Sequence, residues 1–418
     1  LSNFLQLAFL LVIILVAAKA SGYLATRLGQ PSVLGELLVG LLLGPSLVDI
    51  VHLPFITNLH LGETIHELGE LGVLLLMFIA GLELHLSELA KNTRVAAYAG
   101  ALGVFVPVAL GVLAGELFGL SLENSIFLGL TLGATSVSIS AQTLMELKVL
   151  RSRVGLGLLG AAVFDDILVI LFLSSFVALA AGGSAAQVVV VLIRMIGFLV
   201  LSAAFGLWVL PRLTVAISKM HFSQNVLTFA IVIMLTYGLA AELLGGMAAI
   251  TGAFLAGLML ARTHEKERIE SGMHALAYGL FVPIFFVNIG LSIDLREFQL
   301  QALFFTVVII LVAVAGKWLG SGWGARLGGL SQHESIQLGA GMISRGEVGL
   351  IVASVGVYDN LVSAEEFSAI VVMVLVTTLI TPPILRALFS QKDAKAEKMQ
   401  LEAEQVPPKG DAKKSEVS

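Results

Sequence analysis

The sequence predicts an all-α membrane protein of thirteen transmembrane helices, arranged as an inverted-topology repeat with two crossed, broken helices. Three observations carry this expectation: apolar runs long enough to cross a bilayer, basic loops that alternate between the two sides, and segments that recur seven spans apart. Hydrophobic residues make up 57% of the chain, charged residues 13%, and the mean hydropathy is +0.98. A soluble domain would carry about 25% charged residues. The 43 glycines suit membrane helices that approach closely through small residues. The absence of cysteine excludes a disulfide framework and a thiolate metal site.

Apolar runs separated by polar or Gly/Pro-bearing turns place the spans at about 4–26, 32–48, 66–85, 94–118, 124–146, 152–182, 187–211, 224–243, 246–262, 273–293, 300–325, 333–357 and 365–389. Residues 1–18 lack the basic segment and cleavage site of a signal peptide, so they read as part of a first transmembrane helix that lacks its initiator methionine. The membrane domain is thus expected over 1–390. The segment 391–418 mixes lysines with acids, carries Pro407-Pro408, and is expected to be a disordered polar tail.

Basic residues fix the expected orientation. Alternate loops hold Arg27; Lys91 and Arg94; Lys148, Arg151 and Arg153; Arg212 and Lys219; Arg262, Lys266 and Arg268; and Arg326, whereas loops on the other side hold only Arg296. The tail adds Lys392, Lys395 and Lys398. This pattern predicts an outside N-terminus and a cytoplasmic C-terminus.

Phe78-Ile-Ala-Gly81-Leu-Glu83-Leu-His85-Leu in the third span resembles Val287-Asn-Ile-Gly290-Leu-Ser-Ile-Asp294-Leu in the tenth. Gly35-Glu36-Leu-Leu-Val-Gly40 in the second resembles Gly252-Ala-Phe-Leu-Ala-Gly257 in the ninth. An odd separation turns one copy over relative to the other, and inverted repeats mark secondary transporters that work by alternating access. The fifth and twelfth spans then correspond. One contains Gly133-Ala-Thr135-Ser136-Val-Ser138-Ile-Ser140 and the other Ser344-Arg345-Gly346-Glu347. Both are poor helix cores, so both are expected to break near the midplane.

The chemistry centres on Asp165 and Asp166, two carboxylates inside the apolar run of the sixth span. A charge at mid-membrane costs about 2.5 kcal/mol or more, so it needs a partner or a function. Successive helical residues point about 100° apart. One aspartate can therefore meet a counter-ion while the other faces a water-filled cavity. Lys317, near the middle of the eleventh span with no acid in its own helix, is the expected partner. Lys19 and Arg194 are weaker candidates that can extend toward an interface. Glu36, Arg345 and Glu347 form a second charged set, from which a Glu36–Arg345 or Arg345–Glu347 pair is expected to stabilise the interrupted helix. Thr135, Ser136 and Ser344 mark the broken-helix crossing.

Together, Pro31-x-x-x-Gly35-Glu36 leading to Leu43-Gly44-Pro45, Phe78-x-x-Gly81-Leu-Glu83, Ala134-Thr135-Ser136, Ala162-x-x-Asp165-Asp166, Gly316-Lys317 and Arg345-Gly-Glu347 resemble the bacterial sodium/proton antiporters of the cation:proton antiporter-2 family. The resemblance covers nearly the whole membrane region. It implies a homodimer, with a core domain at about 66–182 and 273–389 moving against a scaffold at about 1–48 and 187–262. It implies that Asp166 binds the cation, that Asp165 pairs with Lys317, and that Thr135 and Ser136 lie at the crossing. The transported Na+ or K+ would then meet Asp166, Asp165 and Thr135. Members with an Asp-Asp doublet are generally electrogenic, and this chain has Asp-Asp.

The expected function is exchange of a monovalent cation for protons across a membrane, the bacterial plasma membrane first, with no enzymatic step and no cofactor. A potassium/proton antiporter is the nearest alternative, because a carboxylate pair does not fix ion size. A sodium-coupled organic-anion symporter and a channel or sensor are further ones. Gly155-Leu-Gly157-Leu-Leu-Gly160 matches the dinucleotide fingerprint, but no strand precedes it and it reads as helix packing. Neither a nucleotide-binding domain nor a nucleic-acid partner is expected. His52, His60 and His66, in or near the first long outside loop, could sense external pH but read better as solvated surface residues.

Overall fold

The computed structural model describes residues 2–84, 92–180, 185–220, 223–293, 296, 302–346, 349, 352–353, 356 and 361–389. All regular structure among them is helical. The helices are α1 (Asn3–Arg27), α2 (Ser32–Leu43), α3 (Leu61–Leu82), α4 (Thr93–Leu117), α5 (Leu122–Gly133), α6 (Val137–Glu146), α7 (Arg153–Ala180), α8 (Ala185–Trp208), α9 (Leu210–Ser218), α10 (Asn225–Ala240), α11 (Ala249–Leu260), α12 (Lys266–Leu276), α13 (Val282–Leu291), α14 (Leu303–Leu327), α15 (Gln332–Gly341) and α16 (Ala364–Leu388). Ten helical stretches among the described residues are long and apolar enough to cross a membrane, and α2 and α11 are shorter apolar helices. The chain is a multi-pass membrane protein. The tail lies outside the described residues, as does much of the expected twelfth span beyond Gly346.

Helix ends follow local chemistry. Ser331 and Ser363 open α15 and α16 with capping boxes, each exchanging hydrogen bonds with the glutamate three residues on, Glu334 and Glu366. Ser121 caps α5 by accepting from the Asn124 amide at 3.1 Å. Two π-helical stretches, Ala241–Gly245 after α10 and Ala277–Phe281 between α12 and α13, leave carbonyls available to other donors. Arg194 of α8 donates to the Leu243 and Leu244 carbonyls at 2.7 and 3.0 Å, and Lys19 of α1 donates to the Tyr278 carbonyl at 2.8 Å. The two weaker basic candidates thus hold π-helical backbone rather than the aspartates.

The helices pack in two groups. α1, α2, α3, α10, α11, α12 and α13 form one; α4, α5, α7, α14, α15 and α16 form the other. α6 touches both, and α8 lies between α7 and the π-helical stretch after α10. This differs from the expected division, because α3 and α13 pack in the first group, not with the carboxylates. Backbone approach explains it. A Cβ on Gly257 of α11 would lie 2.0 Å from the Phe78 carbonyl oxygen of α3, and one on Gly40 of α2 would lie 2.2 Å from the Val287 oxygen of α13. Only glycine permits those contacts, and they bind α3 to α11 and α2 to α13.

Candidate ion-binding site

The site begins where two helices break. After α5 the chain runs extended, with Ala134 at φ −62°, ψ 145° and Ser136 at φ −102°, ψ 114°, before α6 starts at Val137. The Ser136 amide donates to the Ser344 carbonyl at 3.0 Å, and Ser140 Oγ donates to the Gly341 carbonyl at 2.5 Å. Ser344 and Gly346 lie on the irregular stretch after α15, and a Cβ on Gly346 would meet Ser136 Oγ at 2.7 Å. The expected crossing thus brings Thr135, Ser136 and Ser344 together. Ser344 Oγ is buried with no hydrogen-bond partner among the described residues.

Arg345 is fully buried and serves the ends of these half-helices. It donates to the Leu132 carbonyl at 2.7 Å, Ile343 at 2.7 Å, Ala313 at 3.2 Å and Met342 at 3.3 Å, while Thr378 donates to the carbonyl of Arg345 itself. A cation at helix C-termini is favoured by the helix dipole and by carbonyls with no helical partner. The expected Glu36–Arg345 pair does not form. The charged neighbours of Glu36 are Lys19 and Glu146, near the start of α2. Glu146, which ends α6, accepts from the Ser32 amide at 2.7 Å, from Ser32 Oγ at 2.5 Å and from Gln142 Nε2 at 2.9 Å. Glu347 lies outside the described residues, so the Arg345–Glu347 pair does too.

The adjacent aspartates of α7 have different surroundings. Asp165 is buried and pairs through Oδ1 with the ammonium of Lys317 on α14, itself fully buried. Thr135 stands beside this carboxylate. Asp165 Oδ2 has no hydrogen-bond partner among the described residues. Asp166 is turned toward the other helix group, where its Oδ2 accepts from Thr251 Oγ1 of α11 at 3.1 Å. It lines a small cavity of about 10 Å³, with Val137, Leu159, Ile250, Thr251 and Phe254 among the walls. Sequence reasoning passed over Thr251; its one signal was a hydroxyl inside an otherwise apolar span.

A separate cluster lies at the end of α3. Glu83, Glu270 and His274 bring potential ligand atoms within 4.8 Å of one another. Glu83 is 3.7 Å from His274, whose ring stacks on Tyr278, and Tyr278 donates to Gln142 at 3.0 Å. The three loop-side histidines have polar neighbours: His52 meets Asp49 at 2.7 Å, His60 meets Glu63 at 2.9 Å, and His66 meets Asn288 at 3.1 Å.

This geometry fits a known family. The model for "Sodium/hydrogen exchanger, transmembrane" matches residues 10–391. The chain belongs to the sodium/hydrogen exchanger family. Among exchangers with curated descriptions it is 42% identical to a probable Na+/H+ antiporter, GerT, of Bacillus cereus, over 91% of this chain and 99% of that one. It is 39% identical to the Na+/H+-K+ antiporter GerN of the same organism, over 92% of this chain and 97% of that one. An Na+/H+ antiporter of Enterococcus hirae is 38% identical over 90% and 96%. A solved structure of the sodium proton antiporter MjNhaP1 from Methanocaldococcus jannaschii superposes with a TM-score of 0.70 at 17% identity, covering 97% of this chain and all of that one. That likeness identifies the exchanger's fold.

Proposed function

We propose that this exchanger carries a monovalent cation, sodium first, in one direction and protons in the other by alternating access, with Asp166 as the shared carrier. One observation carries the reading: neighbouring carboxylates are divided between a buried lysine and a cavity at the boundary of two helix groups. A hard cation needs a deprotonated carboxylate, so cation and proton compete for Asp166. If the site opens to either side only when one of them occupies it, competition alone yields exchange. The Asp165–Lys317 pair supplies a second proton, which makes the cycle electrogenic.

Pseudo-symmetry supports the alternating-access part. Gly81 and Gly290 belong to one repeated motif, Gly40 and Gly257 to the other. α3 touches α11 at Gly81 and Gly257, while α13 touches α2 at Gly290 and Gly40. An inverted repeat of thirteen spans generates this exchange of partners. The two helix groups are then the moving bodies, the first group bearing the homodimer interface, with the N-terminus outside and the C-terminus cytoplasmic.

Potassium is a second reading, favoured by the 39% identical relative named as an Na+/H+-K+ antiporter. Purified protein in vesicles tests both. Sodium, lithium and potassium are each titrated against a lumenal pH signal, with and without a voltage clamp. Asp166→Asn is expected to abolish exchange with every cation; wild-type exchange in that variant removes Asp166 as carrier.

A further inference from the structure

We propose that Thr251 is a cation ligand contributed by the opposing helix group, and that its hydroxyl sets the affinity and ion selectivity of the site. The proposal rests on Asp166 as the cation carrier.

Thr251 is buried in the first turn of α11, and its hydroxyl reaches across the boundary between helix groups to Asp166 Oδ2 at 3.1 Å. Among the described residues that line the cavity, only Asp166 and Thr251 carry polar side-chain atoms; the other walls, such as Met77, Val163 and Phe254, are apolar. A small hard cation that gives up its water needs several oxygen ligands. One carboxylate provides two at most. The remaining side-chain oxygen facing the cavity is Thr251 Oγ1.

The hydroxyl suits both occupants of the site. It now donates its hydrogen to the carboxylate. A helical threonine can also donate to a carbonyl one turn back in its own helix, which leaves its lone pairs free for a cation. A valine has the same shape without this choice. The helix that carries Thr251 is fixed to α3 by the Gly81–Gly257 contact, whereas Asp166 belongs to the other group. Any relative movement of the groups changes the distance from Thr251 to Asp166, so the hydroxyl completes the cation site in one arrangement and leaves it in another.

The test uses purified full-length protein in vesicles, with sodium, lithium and potassium chloride as probes. Thr251→Val is expected to raise the half-saturating sodium concentration about tenfold, the loss of one hydrogen bond or ligand contact at a charged group. The preference between sodium and potassium should narrow. Thr251→Ser should restore wild-type affinity and selectivity. Unchanged half-saturation for all three ions in Thr251→Val overturns the inference. So does a loss of maximal rate that serine fails to restore, since that is a packing defect. Where valine yields too little folded protein, Thr251→Cys makes the same comparison, because a thiol is a poor ligand for hard cations. Asp166→Asn is run alongside. An inactive Asp166→Asn with an unaltered Thr251→Val refutes the threonine alone, whereas an active Asp166→Asn refutes the carrier beneath it.

Discussion

The Ser136 amide and the Ser344 carbonyl are joined by a 3.0 Å hydrogen bond, and that bond links two helices where each has lost its own ladder. The crossing leaves carbonyls with no helical donor at the ends of α5 and α15. Arg345 collects them: with no exposure to solvent, its guanidinium bonds to Leu132, Met342 and Ile343 there, and also to the Ala313 carbonyl inside α14.

Arg345→Lys should therefore be severe despite preserving charge. An ammonium is a point donor and cannot span carbonyls on three elements as a planar fork does. The expected loss is on the order of 3 kcal/mol, from buried acceptors left unpaired. It would be read as a lower melting temperature in detergent together with reduced transport. A lysine variant as stable as wild type would show that charge alone holds the crossing.

Gly257→Ala tests the approach of α11 to α3. The added Cβ would lie 2.0 Å from the Phe78 carbonyl oxygen, which is backbone and cannot rotate away. The helices must separate, at a cost of about 1–3 kcal/mol. Gly279→Ala is the control, since a Cβ there meets nothing within 4 Å. Melting temperatures of the two variants in detergent should differ clearly, and equal values would argue against a fixed α3–α11 contact.

How far this was readable from sequence depends on whether a residue's physics is local. A lysine in the middle of an apolar span demands an acid, so Lys317 and Asp165 could be joined without coordinates. Serines, threonines and glycines in a span announce a break, so the crossing was legible too. Arg345 was legible as a buried charge but not in its partners, because freed carbonyls are created by the break itself. Thr251 had one mark, a hydroxyl in an apolar span, and other threonines share it. It reads like Thr306 or Thr377, which donate to carbonyls of their own helices. Only the approach of its hydroxyl to Asp166 across the boundary between the helix groups gives it a carboxylate. The repeat showed which segments correspond, yet correspondence does not say which are neighbours. The packing of α3 and α13 with the first helix group is information that correspondence alone does not carry.

Lys317→Gln should destabilise the fold by about 3–5 kcal/mol, because Asp165 would be left as an uncompensated buried charge. Asp165→Asn alone should also be costly, since it strands the ammonium. The double variant should recover much of the loss, because both charges are then gone. A coupling of about 1–3 kcal/mol from the four melting curves would establish the pair as one unit. Simple additivity would mean that the two residues are stabilised separately.

Glu83 makes stability depend on pH with a definite sign. Burial holds its carboxyl above the ordinary glutamate value of 4.5, against the pull of Arg151 and Lys266 and with a push from Glu270. His274 faces it at 3.7 Å. Between 4.5 and the raised value the folded state binds more protons at this position than the unfolded chain. Stability contributed here therefore falls as pH rises through that window. Glu83→Gln cannot ionise and should escape the fall. Melting temperatures in detergent, compared between pH 4.5 and 7, should move progressively in favour of the glutamine variant as pH increases. The opposite trend would mean that Arg151 and Lys266 stabilise the ionised carboxylate more than burial penalises it.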